Sequence, residues 1–230
     1  MDKKIRTGSL ALDKMLAGGY ETGVLTTIYG PAGSGKTNLC LMAMAAFSSD
    51  KKMIYIDTEG SFSVDRIKQI TPQHEQLMSK TIFFKPTNFK EQKDLFTKLK
   101  TLIDESIGLI IFDSVAMLYR LEMGKNKDVY NVNKELGIQL SYLTEIARKM
   151  ELPVLITNQV YSDFENKDQI KMVGGDILKY SSKCLLELQV ASGFRRVVLR
   201  KHRSLPDGKK LLFKIVNQGI EEINEKTIPQ

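Results

Sequence analysis

What this chain has little of narrows it before any motif is read. It holds only two cysteines and two histidines in 230 residues. Cys40 and Cys184 lie far apart with no metal-ligand spacing, which points to a reduced, cytosolic protein, Cys40 being a small buried hydrophobe. His74 sits in a polar stretch that reads as a loop or helix start, and His202 lies inside a basic cluster, so neither supports a metal site. No apolar run approaches ~18 residues, and the N-terminus lacks a long secretory segment, so no membrane partner is expected. Repeats, low-complexity tracts and linkers are also missing. With 42% hydrophobic residues, the chain is long enough to bury the core of one globular domain.

Against these absences stands one dense motif, Gly30-Pro31-Ala32-Gly33-Ser34-Gly35-Lys36-Thr37. It fits G-x-x-x-x-G-K-[ST] and lies between an apolar β-branched run, Val24 to Tyr29, and a helical one, Asn38 to Phe47. Glycines let backbone N–H groups wrap a phosphate, and the following helix turns its positive end toward it. Lys36 would reach the β- and γ-phosphates, and the Thr37 hydroxyl would ligate Mg²⁺. The chain is therefore expected to bind a nucleoside triphosphate with magnesium.

Apolar strand-like runs alternate with helical patterns, as in parallel β-α units. The expected strands are Val24 to Tyr29, Met53 to Asp57, Ile82 to Phe84, Leu109 to Asp113 and Val154 to Asn158. The expected helices are Asn38 to Phe47, Lys90 to Glu105 and Asn131 to Lys149, the last with Leu136, Leu140, Leu143 and Ala147 as a core stripe. After Gly175 come runs at Cys184 to Val190, Arg195 to Arg200 and Leu211 to Val216, separated by hairpin-like Ala191-Ser192-Gly193 and Pro206-Asp207-Gly208. The fold class is α/β, a mostly parallel central sheet with antiparallel C-terminal strands.

Three strand ends bring chemistry to the loop. Leu109 to Phe112 reads as a buried strand ending in Asp113, which would hold Mg²⁺ through water opposite Thr37. Met53 to Ile56 leads into two carboxylates, Asp57 and Glu59; Glu59 is the candidate base for the attacking water, its plainer reading a helix cap or ion-pair partner. Gln159, in Thr157-Asn158-Gln159, would sense the γ-phosphate and pass its state to the following loop, or else simply satisfy loop backbone.

The net charge is +7, and Arg195, Arg196, Arg200, Lys201, His202, Arg203, Lys209 and Lys210 crowd together near the C-terminus. Such a cluster suits a polyanion, nucleic acid first, or a solvated basic face.

The order GSLALDKMLAGGYETG, GPAGSGKT, YIDTEGSF, LIIFDSVAMLYR, ITNQV and VGGD resembles the RecA-like recombinase core, nearest its archaeal and eukaryotic RadA branch, over nearly the whole chain. RadA proteins carry a helical DNA-binding domain and an oligomerisation linker before the core. Here Gly8-Ser9 already stands in the opening motif, so the chain resembles a core-only archaeal paralogue and is expected to be a single ATPase core over 1–230. The resemblance implies the phosphate and metal roles for Lys36, Thr37 and Asp113, catalysis at Glu59, and ATP-to-DNA coupling at Gln159. It implies a nucleotide-side place for Asn38 and for Arg66, matching an arginine that lies against adenine; Ser63 replaces a second arginine common in relatives. Lys201 and Arg203 resemble a K-x-R pair that reaches a neighbouring subunit's γ-phosphate, with DNA contact as the alternative. Two loops would face single-stranded DNA, one carrying Arg120, Gly124, Lys125 and Lys127, the other Tyr161, Phe164, Lys167 and Lys171. The second loop is short and holds Asp163, Glu165 and Asp168, so full strand exchange is not expected. The implied function is a slow, DNA-associated ATPase assisting a RadA-type recombinase at the nucleoid. A homo-oligomer is compatible with this, a long filament is not expected, and the alternative is a KaiC-like ATPase acting on protein partners or a nucleotide-binding adaptor.

Overall fold

A computed structural model describes residues 4–125, 128–162 and 170–224. The chain opens with β1 (Lys4–Ile5), α1 (Leu10–Met15) and β2 (Tyr20–Glu21), then enters the main sheet at β3 (Leu25–Gly30) followed by α2 (Lys36–Ala46). Next come β4 (Lys52–Asp57), α3 (Val64–Ile70), α4 (His74–Ser79), β5 (Thr81–Phe84) and α5 (Phe89–Leu102). β6 (Ile107–Asp113), α6 (Met117–Lys125), α7 (Val129–Met150), β7 (Val154–Ser162), β8 (Ile170–Met172) and α8 (Gly175–Ser181) lead to β9 (Cys184–Ala191), β10 (Phe194–His202), β11 (Lys210–Val216) and β12 (Gly219–Glu222).

The large sheet has the order β12-β11-β10-β9-β3-β7-β6-β4-β5. From β9 to β5 neighbours run parallel, and from β9 to β12 they run antiparallel. Strand parity builds two cores. Leu109 and Ile111 of β6 face α1 to α4, whereas Ile110 and Phe112 face α5 to α8. The expected stripe of α7, Leu136, Leu140, Leu143 and Ala147, is buried in the second core. Side chains start the long helices: Asn88 Oδ1 accepts from Glu91 N at 2.9 Å, and Asp128 Oδ1 from Asn131 N at 3.1 Å.

Three sequence expectations need correction. Residues 120–125 were expected in a loop, but they form most of α6. Its own Leu118 and Tyr119 are buried, and Arg120 N donates to Ala116 O, so burial of one face outweighs Gly124 near its end. Thr157, Asn158 and Gln159 do not follow a strand but lie within β7, because Gly30 pairs with Gln159 and β8 continues the ladder at Val160 to Ser162. The second helical pattern stops at Leu102, with Ile103 extended, rather than running to Glu105.

Candidate nucleotide and nucleic-acid site

The phosphate loop joins the C-terminal end of β3, in the sheet centre, to the N-terminus of α2. Gly33 and Gly35 have φ of +71° and +102°, left-handed values that glycine adopts without strain. A Cβ on Gly30 would lie 2.4 Å from Leu188 O, so β9 packs too closely for any other residue there. Gly35 caps α2 without a side-chain acceptor, which leaves the first-turn N–H groups facing the loop. Ser34 Oγ is buried with no hydrogen-bond partner among the described residues.

Lys36 is only 8% exposed, and its Nζ donates to Gly30 O and Pro31 O, both at 2.9 Å. Burial lowers its pKa, opposed by the carboxylates of Glu59 and Asp113. The ammonium is thus held across the mouth of the loop, between two acidic strand ends.

Asp113, at the end of β6, is the hub. Its Oδ2 accepts from Thr37 Oγ1 at 2.6 Å, Tyr55 OH at 3.1 Å and Ser61 Oγ at 3.1 Å, and its Oδ1 accepts from Thr157 Oγ1. Burial, then Asp113 itself, pushes the Tyr55 hydroxyl well above its ordinary pKa, so it remains a donor. Magnesium takes few protein oxygens and keeps several waters, and the Thr37–Asp113 pair offers that oxygen donor set. Among the described residues no group of three His, Cys, Asp or Glu side chains could hold a metal of another kind. The open cradle, the orphaned Ser34 hydroxyl and this oxygen pair fit a magnesium–triphosphate.

The two carboxylates after β4 have separate places. Asp57 accepts from Glu59 N, Ser61 N and Phe62 N at 3.1–3.2 Å and so folds the turn. Glu59 is left to point across the site, where its Oε1 accepts from Gln159 Nε2 at 2.9 Å. Gln159 O in turn accepts from Val173 N at 3.1 Å, and Asn158 Nδ2 donates to Val173 O at 2.8 Å. The base of the β7–β8 hairpin is therefore tied directly to the glutamate, and Tyr161 pairs with Lys171 further along it.

Asn38 Oδ1 accepts from Arg66 Nε at 2.9 Å and Nη2 at 2.6 Å. Arg66 also reaches Val216 O, Asn217 O and Gly219 O, pinning α3 and α2 to the β11–β12 turn beside the loop. Lys201 and Arg203 lie elsewhere. Lys201 pairs with Leu185 and His202 with Cys184, at the end of the sheet away from Gly30. Lys201 Nζ donates to Lys179 O, and Arg203 Nε meets buried Glu21 Oε2 at 2.7 Å. Arg120 and Lys125 are exposed on α6, and Lys171 on β8. Lys127 and Lys167 fall outside the described residues, as do Asp163, Phe164, Glu165 and Asp168.

Sequence reading missed Tyr55, Ser61 and Thr157 around Asp113. Thr157 had a signal, because it stands one position past Ile156 as Asp113 stands one past Phe112, and those residues pair. Ser61 had none. It also missed Arg195, whose Nε donates to Gly33 O at 3.0 Å from the antiparallel extension.

A parallel sheet, a phosphate loop leading out of a central strand, and an aspartate ending the next strand but one define a P-loop nucleotide-binding protein of RecA-like architecture. The chain belongs to the Rad51 family, whose pattern matches residues 3–223. It is 41% identical over 217 residues to the DNA repair and recombination protein RadB of Methanococcus maripaludis, covering 93% of this chain and 99% of that protein. It is also 41% identical to the protein of that description from Methanobrevibacter smithii, over 94% of this chain and 95% of the relative. A crystal structure of the RadB recombinase superposes with a TM-score of 0.81 at 36% identity, covering 96% of this chain and all of that one. Among the described residues no helix is long and apolar enough to cross a membrane.

Proposed function

We propose that this protein binds ATP–Mg²⁺ and single-stranded DNA, hydrolyses ATP slowly, and assists a RadA-type recombinase in homologous recombination and DNA repair at the cytoplasmic nucleoid. The observation that carries this reading is the Gln159–Glu59 hydrogen bond, which joins the candidate catalytic base to the hairpin bearing Tyr161 and Lys171.

In this reading the loop amides and Lys36 bind the phosphates. Thr37 and Asp113 would hold magnesium, which neutralises charge on the phosphate oxygens when bound. Glu59 takes the proton of a water attacking the γ-phosphorus as the bond to the bridging oxygen breaks and ADP leaves. Gln159, held to Glu59, moves with the state of the γ-phosphate and shifts the β7–β8 hairpin. Arg120 and Lys125 on α6, with Lys171 on the hairpin, would contact the DNA backbone together with Lys127 and Lys167. Arg66 would border the adenine. Slow turnover follows from the placement of Lys201 and Arg203: at the far end of the sheet, they would serve only a neighbouring copy's nucleotide.

The test is fluorescence anisotropy of a labelled single-stranded oligonucleotide, with and without ATP–Mg²⁺, at two salt concentrations. Binding that falls with salt, responds to ATP and loses that response in Lys36→Ala is expected. No binding at low salt would overturn the DNA role and favour a protein-directed ATPase.

A further inference from the structure

Two side chains hold carbonyls of the phosphate loop, and they hold different halves of it. Lys36 Nζ donates to Gly30 O and Pro31 O, both at 2.9 Å. Arg195 Nε donates to Gly33 O at 3.0 Å. Within the loop, Ser34 N reaches Pro31 O at 3.3 Å. The tip has little other support: Ala32 and Gly33 are exposed, and a Cβ on Gly33 would meet nothing within 4 Å. The φ values of Gly33 and Gly35, +71° and +102°, are ones that glycine adopts without strain and leaves as freely. The peptide plane between Gly33 and Ser34 therefore depends on an outside hold.

Nucleotide binding asks different things of the two anchors. An ammonium has three N–H donors, and Lys36 spends two of them on the loop. To serve a β- and a γ-phosphate oxygen together, it must release at least one carbonyl. Arg195 has no such second duty. It stands at the start of β10, two strands away from β3, and it takes the carbonyl of a planar peptide whose N–H points the other way. Its stem packs on the same turn: a Cβ on Gly35 would lie 3.9 Å from Arg195 Cδ and 3.2 Å from Ile215 Cδ1. Among the described residues Arg195 makes no ion pair, whereas Arg200 on the same strand meets Glu187 at 2.6 Å. A solvated surface cation would extend into water, but Arg195 is half-buried and its Nε is turned onto the loop.

We infer that Arg195 is a positioning residue of the nucleotide site. It holds the Gly33–Ser34 peptide so that the loop amides face the phosphates while Lys36 exchanges a carbonyl for phosphate oxygen. The inference rests on the proposed nucleotide reading of the loop, and it gives the antiparallel extension a part in binding ATP.

The test is a pair of variants chosen by bond count. Gln Nε2 stands as many bonds from Cα as Arg Nε, so Arg195→Gln keeps a donor at that place and discards the charge. Arg195→Met keeps the stem and discards the donor. Ribose-labelled fluorescent ADP and ATP are titrated in Mg²⁺ without DNA, with the wild type and Lys36→Ala as references. Arg195→Met should bind both nucleotides about tenfold more weakly, the effect of one lost hydrogen bond from a charged donor, and Arg195→Gln should stay within about threefold of the wild type. In the nucleotide-free chain, amide exchange over residues 31–36 should quicken in Arg195→Met and not in Arg195→Gln.

Undiminished affinity in Arg195→Met overturns the inference. So does an Arg195→Gln as weak as Arg195→Met, which would leave only the charge at work. Affinity loss that tracks a fall in the nucleotide-free melting temperature would assign Arg195 to the fold and overturns it too. These outcomes leave ATP binding standing, whereas a wild-type chain that takes neither nucleotide would overturn the proposed function and this inference with it.

Discussion

Thr37 Oγ1 donates to Asp113 Oδ2 at 2.6 Å, although 76 residues separate the two in sequence. That contact closes the site between the N-terminus of α2 and the end of β6, and it sets side by side the hydroxyl and the carboxylate that would hold magnesium. Tyr55, Ser61 and Thr157 also donate to Asp113, so the carboxylate is aimed before any ligand arrives.

Asp113→Asn removes the charge but keeps the shape. We expect ATP affinity in magnesium to fall about tenfold or more, from loss of a charge-assisted contact of ~1.5–3 kcal/mol. Affinity measured in EDTA should change little. A mutant whose magnesium-dependent affinity matches the wild type would remove Asp113 from the metal site.

Glu59→Gln retains a side chain able to meet Gln159 but cannot accept a proton. ATP binding should persist while hydrolysis falls by about 10²–10⁴, the range for loss of a general base. Single-turnover phosphate release checks this. Unaltered hydrolysis would return Glu59 to a structural role.

Gln159→Ala cuts the link between Glu59 and the hairpin. The ATP-induced change in DNA affinity should disappear, a loss within the ~5–150-fold range typical of site coupling. Affinity without ATP should stay near the wild-type value, because the hairpin retains its β7–β8 pairing. ATP titrations at fixed oligonucleotide give the answer, and an intact ATP response would move the coupling elsewhere.

Arg66→Ala leaves Asn38 Oδ1, Val216 O and Asn217 O without the Arg66 donor, while Gly219 O keeps Asn38 Nδ2. Destabilisation of about 1–3 kcal/mol follows from unsatisfied acceptors that are partly buried. Denaturant unfolding without nucleotide separates this structural part from any contact with adenine.

His202 makes stability depend on pH. Its side chain is 1% exposed, faced by Glu21, Lys4, Arg203 and Lys209, and its Nδ1 accepts from Ser204 N at 3.2 Å. Burial outweighs Glu21 and holds its pKa below the ordinary value. The unfolded chain therefore binds the proton first, so this contribution is complete above about pH 6.5 and is lost as the pH falls toward the folded value. Melting temperatures from about pH 8 to about pH 5 should decline more steeply in the wild type than in His202→Gln. Parallel curves would show that His202 is not the titrating group.

Local chemistry was legible in the sequence. The phosphate loop needs eight consecutive residues, and no distant group alters why glycines precede Lys36 and Thr37. Buried parallel strands announced themselves as apolar runs, and Gly193 and Gly208 marked the hairpin side of the antiparallel extension; β6 and β7 were found although β7 runs four residues further. α6 was missed because its apolar face shows only once Leu118 and Tyr119 have the second core to bury against.

The roles that depend on company were decided only in three dimensions. Asp57 and Glu59 are two residues apart and equally acidic, yet one folds a turn while the other meets Gln159, because β7 lies parallel beside β3 and brings its end to the loop. Arg195 and Arg203 belong to one basic cluster in sequence, yet the antiparallel run of β10 sends the first to the phosphate loop and the second to Glu21 at the opposite end. Residue types and their spacing along one strand are properties of the chain itself. Which end of the sheet a side chain reaches, and which distant group it meets there, follow from strand order and direction, set by the burial of two cores on opposite faces of one sheet.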